Sequence, residues 1–327
     1  MALPLSPARL AVLVVVVLAP IVAVAATPLS SALGPTVLAV IATAGSVRRG
    51  TPAMWRMSAS SALVALLAAL AATTGDALPA IGTVLVVLTA LATSALPRFG
   101  LTSSGAMVVT MGALLMIKPI STPVDAAGPW AAALFVAVVV GATTAWIAGV
   151  LSFALRSHPL PKPELPDPTV PYSILLAVLA GGFTLASLLF FPDSNAWWTV
   201  LTVAIILQPT RGKLWSKLGA RVLGTLLGGT VAALLAVVLP TTIAPAVVGF
   251  VALAANVVLT VRGAPYWQSA TAVTVTVVML TFERDQLLQG DLERILFTVL
   301  AAAVTAAAVV LLSVLPSSRQ RASASQS

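Results

Sequence analysis

Long apolar segments follow one another along the whole chain, and charged residues are concentrated in the breaks between them. Hydrophobic residues make up 59% of the 327 positions and charged residues only 8%, whereas roughly a quarter of an ordinary soluble domain is charged. So few polar side chains do not cover the surface of a water-soluble globule. The sequence therefore predicts an all-α polytopic membrane protein with no soluble domain.

Twelve apolar segments emerge when breaks are placed at charges and at glycine or proline clusters. They run approximately over 10–26, 31–45, 58–73, 78–96, 103–117, 129–155, 172–191, 196–207, 218–239, 243–261, 269–282 and 292–315. The short ones, the second and fifth and then the eighth and eleventh, fall at matching places in the two halves. This pattern predicts two parallel six-helix repeats. Chance self-similarity of alanine- and valine-rich sequence is the alternative.

The two repeats would make up most of the chain. The first, in degenerate form, occupies 1–157, and the second, which carries the more informative motif, occupies 172–316. Between them, 158–171 is rich in proline and is predicted to be an extended cytosolic linker. The last residues, 317–327, are predicted to be a disordered cytosolic tail.

The charged residues sort by sign when the N-terminus is placed in the cytosol and all twelve segments cross. Fourteen of the 17 basic residues then lie in the cytosol, and seven of the nine acids lie outside. Only Lys118, Arg284 and Arg294 are basic residues on the outer side. The positive-inside rule thus favours a cell-membrane protein with both termini cytosolic, and it explains the net charge of +8 without a nucleic-acid partner.

Several classes of active site are excluded by composition. The chain has no cysteine, and its one histidine is His158. Thiolate and multi-histidine metal sites are therefore excluded, as are cysteine nucleophiles. Paired acids and a Walker A sequence are also missing. We expect no catalytic residues, no metal and no cofactor, and hence no enzyme.

The most informative stretch runs over 195–235. It holds the sequence WWTVLTVAIILQP and, after a basic gap, RVLGTLLGG. These residues resemble the fusaric acid resistance protein-like (FUSC) family, which is related to aromatic acid exporters and more distantly to plant malate channels. The resemblance implies membrane transport of organic acids. Longer members carry a cytosolic domain that this chain lacks, and the first half has neither the Gln-Pro nor the Arg-x-x-Gly-Thr element.

Three residues of the basic gap and its flanks are candidate ligands for an anion. Arg221, near the inner boundary, is able to bind a carboxylate through two hydrogen bonds, and Arg56 is its repeat counterpart. Contact with lipid phosphates is the alternative for both, and more strongly for Arg211 in the loop. Gln208 ends a short segment before a proline, as in interrupted transporter helices. Simple termination of the helix is the alternative there.

Two further candidates lie toward the outer side. Trp198, with Trp197, is most simply an interfacial belt residue, and stacking on an aromatic substrate is the alternative. Lys118 follows a long apolar run. Its charge would attract anions to the outer mouth of a transport pathway, and the alternative is that its side chain only extends to the membrane interface.

Gly224, Gly228 and Gly229 are assigned to close helix packing, because small residues let helix backbones approach. A pore-facing groove is compatible with that packing. The same glycine face is also available for packing in a homodimer.

No Asp or Glu is placed within an apolar segment, although intramembrane carboxylates are the usual proton relays and cation sites. Basic residues that flank apolar helices suit a poorly hydrated organic anion. Together with the family resemblance, this charge pattern predicts a transporter or channel that exports organic, in particular aromatic, carboxylates. Its partners would be membrane lipids and a small organic anion. The alternative is a non-transporting membrane scaffold or envelope-assembly partner.

Overall fold

A computed structural model describes residues 7–95, 102–154, 170–207, 214–238, 243–262, 264–281 and 287–314. Within these ranges the chain forms twelve α-helices and a few short 3-10 turns, and no β-strand. The helices are α1 Pro7–Ala25, α2 Leu33–Gly45, α3 Thr51–Ala71, α4 Leu78–Ala95, α5 Thr102–Ile117, α6 Pro129–Ala154, α7 Val170–Phe190, α8 Trp197–Ile206, α9 Leu214–Val238, α10 Ile243–Arg262, α11 Tyr266–Thr281 and α12 Leu287–Val314. The predicted all-α class is confirmed for this part of the chain.

Each predicted apolar segment corresponds to one helix, although the ends differ. The largest change that matters for function is in α12, which begins at Leu287 rather than at Leu292. The predicted linker, 158–171, lies outside the described residues except for its last two positions, which belong to α7. The predicted tail, 317–327, lies wholly outside them.

Six of the described helices are long enough and apolar enough to cross a membrane, by length and composition. These stretches are Thr51–Ala71, Gly75–Ala92, Pro129–Ala154, Tyr172–Phe190, Trp215–Leu235 and Leu292–Leu312. Five shorter apolar helical stretches accompany them: Val14–Ala25, Ser30–Gly45, Gly105–Ile117, Trp197–Ile206 and Pro245–Asn256. Such a set is typical of a multi-pass membrane protein.

The centre of the bundle is formed by α5 and α8, which pack against each other. All ten residues of α8 are buried, as is every residue of α5 from Val108 to Ile117. The four shortest α-helices are α2, α5, α8 and α11, as the short apolar segments predicted. A short helix is tolerated at membrane depth when protein surrounds its ends, because the unpaired backbone groups there do not meet lipid.

The surrounding helices turn apolar side chains outward. Leu88 on α4, Val138 on α6 and Val178 on α7 are each more than half exposed. In water such a surface would aggregate, whereas hydrocarbon solvates it without cost. The outer face of the bundle is thus suited to lipid.

The closest helix–helix approach involves glycines of α9 against α11. A Cβ atom added at Gly228 would lie 2.2 Å from Thr274 Cγ2 and 2.7 Å from the Thr271 carbonyl oxygen. One added at Gly224 would lie 2.6 Å from Ala270 Cβ. Gly229 beside them is buried. The face that carries Gly224 and Gly228 is therefore occupied within the chain, and a homodimer through that same face would have to displace α11.

Replacing Gly228 by alanine is expected to destabilise the fold by about 1–3 kcal/mol, since the added methyl group has to push α11 away from α9. The measurement is the midpoint of thermal unfolding, Tm, of detergent-solubilised protein. Gly182→Ala on α7 is the matched control, because a Cβ atom there meets nothing within 4 Å. The control is expected to keep or raise the Tm, since alanine favours helix over glycine. An equal Tm for the two variants would contradict the close approach of α9 and α11.

Candidate functional site: a buried cationic cluster

The turn that precedes α8 carries two tryptophans into the bundle. The backbone N–H of Asp193 donates to the carbonyl oxygen of Ile117 at the end of α5 (3.1 Å), and α8 starts four residues later. The rings of Trp197 and Trp198 are stacked, with centroids 4.2 Å apart and planes at 27°. Trp198 is only 1% exposed and Trp197 only 5%. The interfacial-belt interpretation of the two indoles is therefore wrong, because neither faces lipid.

Arg221 lies in the second turn of α9 and points at this indole pair. Its Cζ atom is 5.8 Å from the centroid of the Trp198 ring, and the residue is 1% exposed. The Tyr266 hydroxyl at the start of α11 lies beside the guanidinium. Within the part of the chain that the structure describes, Nε and Nη2 of Arg221 have no hydrogen-bond partner. A buried guanidinium with unused donors is costly, and this one is compensated only in part by the indole.

Arg294 on α12 is the residue that sequence reasoning missed. The sequence places it on the outer side of the membrane, among the charges at the start of the twelfth segment, whereas the structure includes it in α12 and buries it completely, at 0% exposure. Its Cζ atom lies 5.3 Å from the centroid of the same Trp198 ring. Its Nη2 donates to the carbonyl oxygen of Thr225 on α9, at 3.4 Å. Two guanidiniums are thus neighbours around one indole.

The error has an identifiable cause. Charged residues mark the breaks between segments, so the sequence pattern places the run from Asp291 to Arg294 at the outer boundary of the twelfth segment. The structure continues α12 through this run, because protein rather than lipid surrounds Arg294 there. The available signal was the lack of any proline between Leu287 and Leu315, which permits one unbroken helix.

The same extension of α12 places an acid inside the helical bundle. Glu293 accepts a hydrogen bond from Nδ2 of Asn195, at 3.0 Å, and is half-buried. Asn195 itself is buried, two residues before α8 begins. The prediction that no Asp or Glu lies within an apolar segment is corrected by Glu293, which lies inside α12 and whose contact joins the starts of α8 and α12.

Buried hydroxyl and indole groups are grouped with the two guanidiniums. Thr202 and Thr298 follow Trp198 and Arg294 by one turn on α8 and α12, which pack together. Their Oγ1 atoms and the Trp198 Nε1 atom have no hydrogen-bond partner among the described residues. A cluster of unused donors around a cation favours a ligand that accepts hydrogen bonds and carries negative charge. We call the set of Trp198, Arg221, Tyr266 and Arg294 the cationic cluster.

The remaining predicted residues do not join this cluster. Arg56 is exposed on α3. Lys118 is half-buried just after α5, where it lines a separate cavity of about 260 Å³ together with Asn195 and Trp197. Gln208 and Arg211 lie outside the described residues. The structure thus brings Arg221 and Trp198 together, and Lys118 shares a cavity with Trp197, the ring that stacks on Trp198.

No group of three or more His, Cys, Asp and Glu side chains comes together within the described ranges. Each side chain of the cationic cluster offers a hydrogen-bond donor, and the tyrosine and indole rings also offer π faces. Their chemistry is anion binding, and they offer no ligand set for a metal ion.

The comparisons with known proteins agree with the motif that carries the cluster. A search of curated proteins and a search of solved structures gave no match. A family model, described as fusaric acid resistance protein-like, matches residues 176–312, which include α8, α9, α11 and most of α12. This match confirms the resemblance seen in the sequence: residues 176–312 are similar to the fusaric acid resistance protein-like family.

Proposed function

We propose that the protein is a transporter or channel, rather than an enzyme, which exports organic carboxylate anions, in particular aromatic ones, across the cytoplasmic membrane. The observation that carries this proposal is the burial of Arg221 with Nε and Nη2 unpartnered. These two nitrogens bear the parallel N–H bonds of one edge of the guanidinium. A carboxylate accepts from such an edge with both oxygens.

The surroundings of Arg221 favour an anion with an apolar body. Val200, Leu201 and Val203 make α8 apolar around its tryptophans, and Phe297 adds a ring from α12. A small inorganic anion would keep too little of its hydration in such a place, whereas an aromatic or aliphatic acid loses little water from its ring or chain. Arg294 adds a second positive charge beside the same indole.

We further propose that the two halves are parallel repeats with both termini in the cytosol. Matching helix pairs support this arrangement. In the first half α3 packs on α5 and α6, and in the second α9 packs on α11 and α12. Likewise α4 packs on α5 and on α7, the first helix of the second half. In the same way, α10 packs on α11 and on α1, the first helix of the first half. Transporters built from such repeats bind their substrate near the axis between the halves.

Neutralising Arg221 as Arg221→Gln is expected to lower the flux of benzoate into or out of reconstituted vesicles at least tenfold. The reason is that a charge-assisted hydrogen bond contributes roughly 1.5–3 kcal/mol, and about 1.4 kcal/mol corresponds to a factor of ten. Lys217→Gln is the matched control, because it removes one positive charge one turn earlier on the same helix. Unchanged flux in Arg221→Gln at normal protein levels would remove the role of Arg221.

Binding is measured separately from flux through thermal stability. Benzoate at tenfold above its Kd is expected to stabilise the solubilised native chain by about 1.4 kcal/mol, seen as a rise in Tm. The same concentration is expected to leave the Tm of Arg221→Gln unchanged. Equal shifts in the two proteins would place the carboxylate elsewhere.

Growth and accumulation distinguish transport from the scaffold alternative. Cells with the gene are expected to tolerate higher concentrations of at least one weak aromatic acid, and to accumulate less of it, than cells without the gene. The measurement is growth and intracellular content over a panel of weak organic acids. A panel in which no acid changes either quantity would favour the scaffold or envelope-assembly function.

A further inference from the structure

The cavity beside Lys118 is formed by the ends of the four short helices. Its wall includes Leu33 and Gly34 of α2, Leu114 of α5, Trp197 of α8 and Leu280 of α11. Its volume of about 260 Å³ lies just below the range for small-molecule sites, which is roughly 300–1,000 Å³. An acid with a single aromatic ring or a short chain fits this space.

Polar groups occur on the wall of this otherwise apolar cavity. The Trp197 Nε1 atom is buried and has no hydrogen-bond partner among the described residues, and the same is true of Ser31 Oγ. Both residues line the cavity, as do Lys118 and Asn195. One cation, two unused hydroxyl or indole groups and an apolar wall match the two ends of an amphipathic anion.

A stacked pair of indoles connects this cavity to the cationic cluster. Trp197 lines the cavity, and its ring stacks on Trp198, the member of the cluster that contacts both guanidiniums. Asn195 makes a second connection, because it lines the cavity and hydrogen-bonds Glu293, the neighbour of Arg294. An anion that contacts Trp197 in the cavity is therefore linked to the cluster through the stacked rings.

We propose that the cavity is a second binding site, arranged in series with the cationic cluster, for monocarboxylates of one ring or an equivalent chain. The ligand class rests on the proposed function. The carboxylate lies toward Lys118, Ser31 and the Trp197 N–H, and the apolar body lies against Leu33, Leu114 and Leu280. Rotation of the Trp197 side chain opens the way between the two sites.

The first test uses the natural lack of cysteine, which lets one introduced thiol report on one place. Leu280→Cys, in the full chain in vesicles, is labelled with a membrane-impermeant maleimide with and without benzoate. Benzoate is expected to slow the labelling at least threefold. Thr73→Cys, in a different cavity that contains no lysine, is the control and is expected to label at an unchanged rate. Equal rates with and without benzoate at Leu280→Cys would overturn the proposal.

The second test fills the cavity. Gly34→Phe is expected to lower benzoate flux at least tenfold and to abolish the protection of Leu280→Cys. Gly182→Phe on α7 is the matched control, since a Cβ atom there meets nothing within 4 Å and the residue does not line the cavity, and it is expected to keep the native flux. Protein level and elution as a single species show whether each variant folds. If Gly34→Phe does not fold, the labelling experiment on the otherwise native chain decides alone.

The two proposals fail separately. Flux that survives Gly34→Phe but is lost in Arg221→Gln would overturn passage through the cavity and leave the proposed function intact. Benzoate protection of Leu280→Cys in a chain with no benzoate flux would overturn the proposed function and support binding in the cavity. Slower labelling by benzoate but not by a three-ring acid of equal charge would support the size limit, and equal slowing would contradict it.

Discussion

Two guanidiniums held against one indole in an apolar interior are the strictest physical constraint in this molecule. Removing an arginine from water costs several kcal/mol even after relaxation, and a cation–π contact returns roughly 2 kcal/mol when desolvated. Both Arg221 and Arg294 make this cation–π contact, with their Cζ atoms within 6 Å of the Trp198 ring centroid. Three helices must be positioned so that these side chains converge.

The shapes of those three helices follow from this convergence. The start of α8 lies deep because the turn at Asp193 is bonded to the end of α5. α12 begins at Leu287, before its charged residues, so that Arg294 is carried inside. α9 approaches α11 through Gly224 and Gly228, which leaves Arg221 beside Tyr266 at the first residue of α11. The glycines of α9, the early start of α12 and the turn at Asp193 thus all help to position the cationic cluster.

Much of the fold was predictable, because helices that are buried or face lipid need apolar segments of matching number and length in the sequence. The twelve helices and the four short ones follow from that pattern, and the family motif drew attention to Arg221 and Trp198. The pattern did not predict the burial of Arg294, because a charged residue at the edge of an apolar segment looks the same in the sequence whether it faces water or a buried indole. Burial of Trp197 and Trp198 was missed for a related reason: an aromatic at a segment end is placed by its neighbours in three dimensions, which only packing reveals.

The complete burial of α8 also has a consequence for the order in which the chain is assembled in a bilayer. Ten residues of helix span about 15 Å, roughly half the hydrocarbon thickness, so this segment has no stable place in lipid by itself. Its walls are supplied by α5 and α7, which are made earlier, and by α12, which is made last. The tryptophan pair is therefore enclosed only after α12 has been synthesised, and its enclosure uses α5 from the first half as well as helices of the second half.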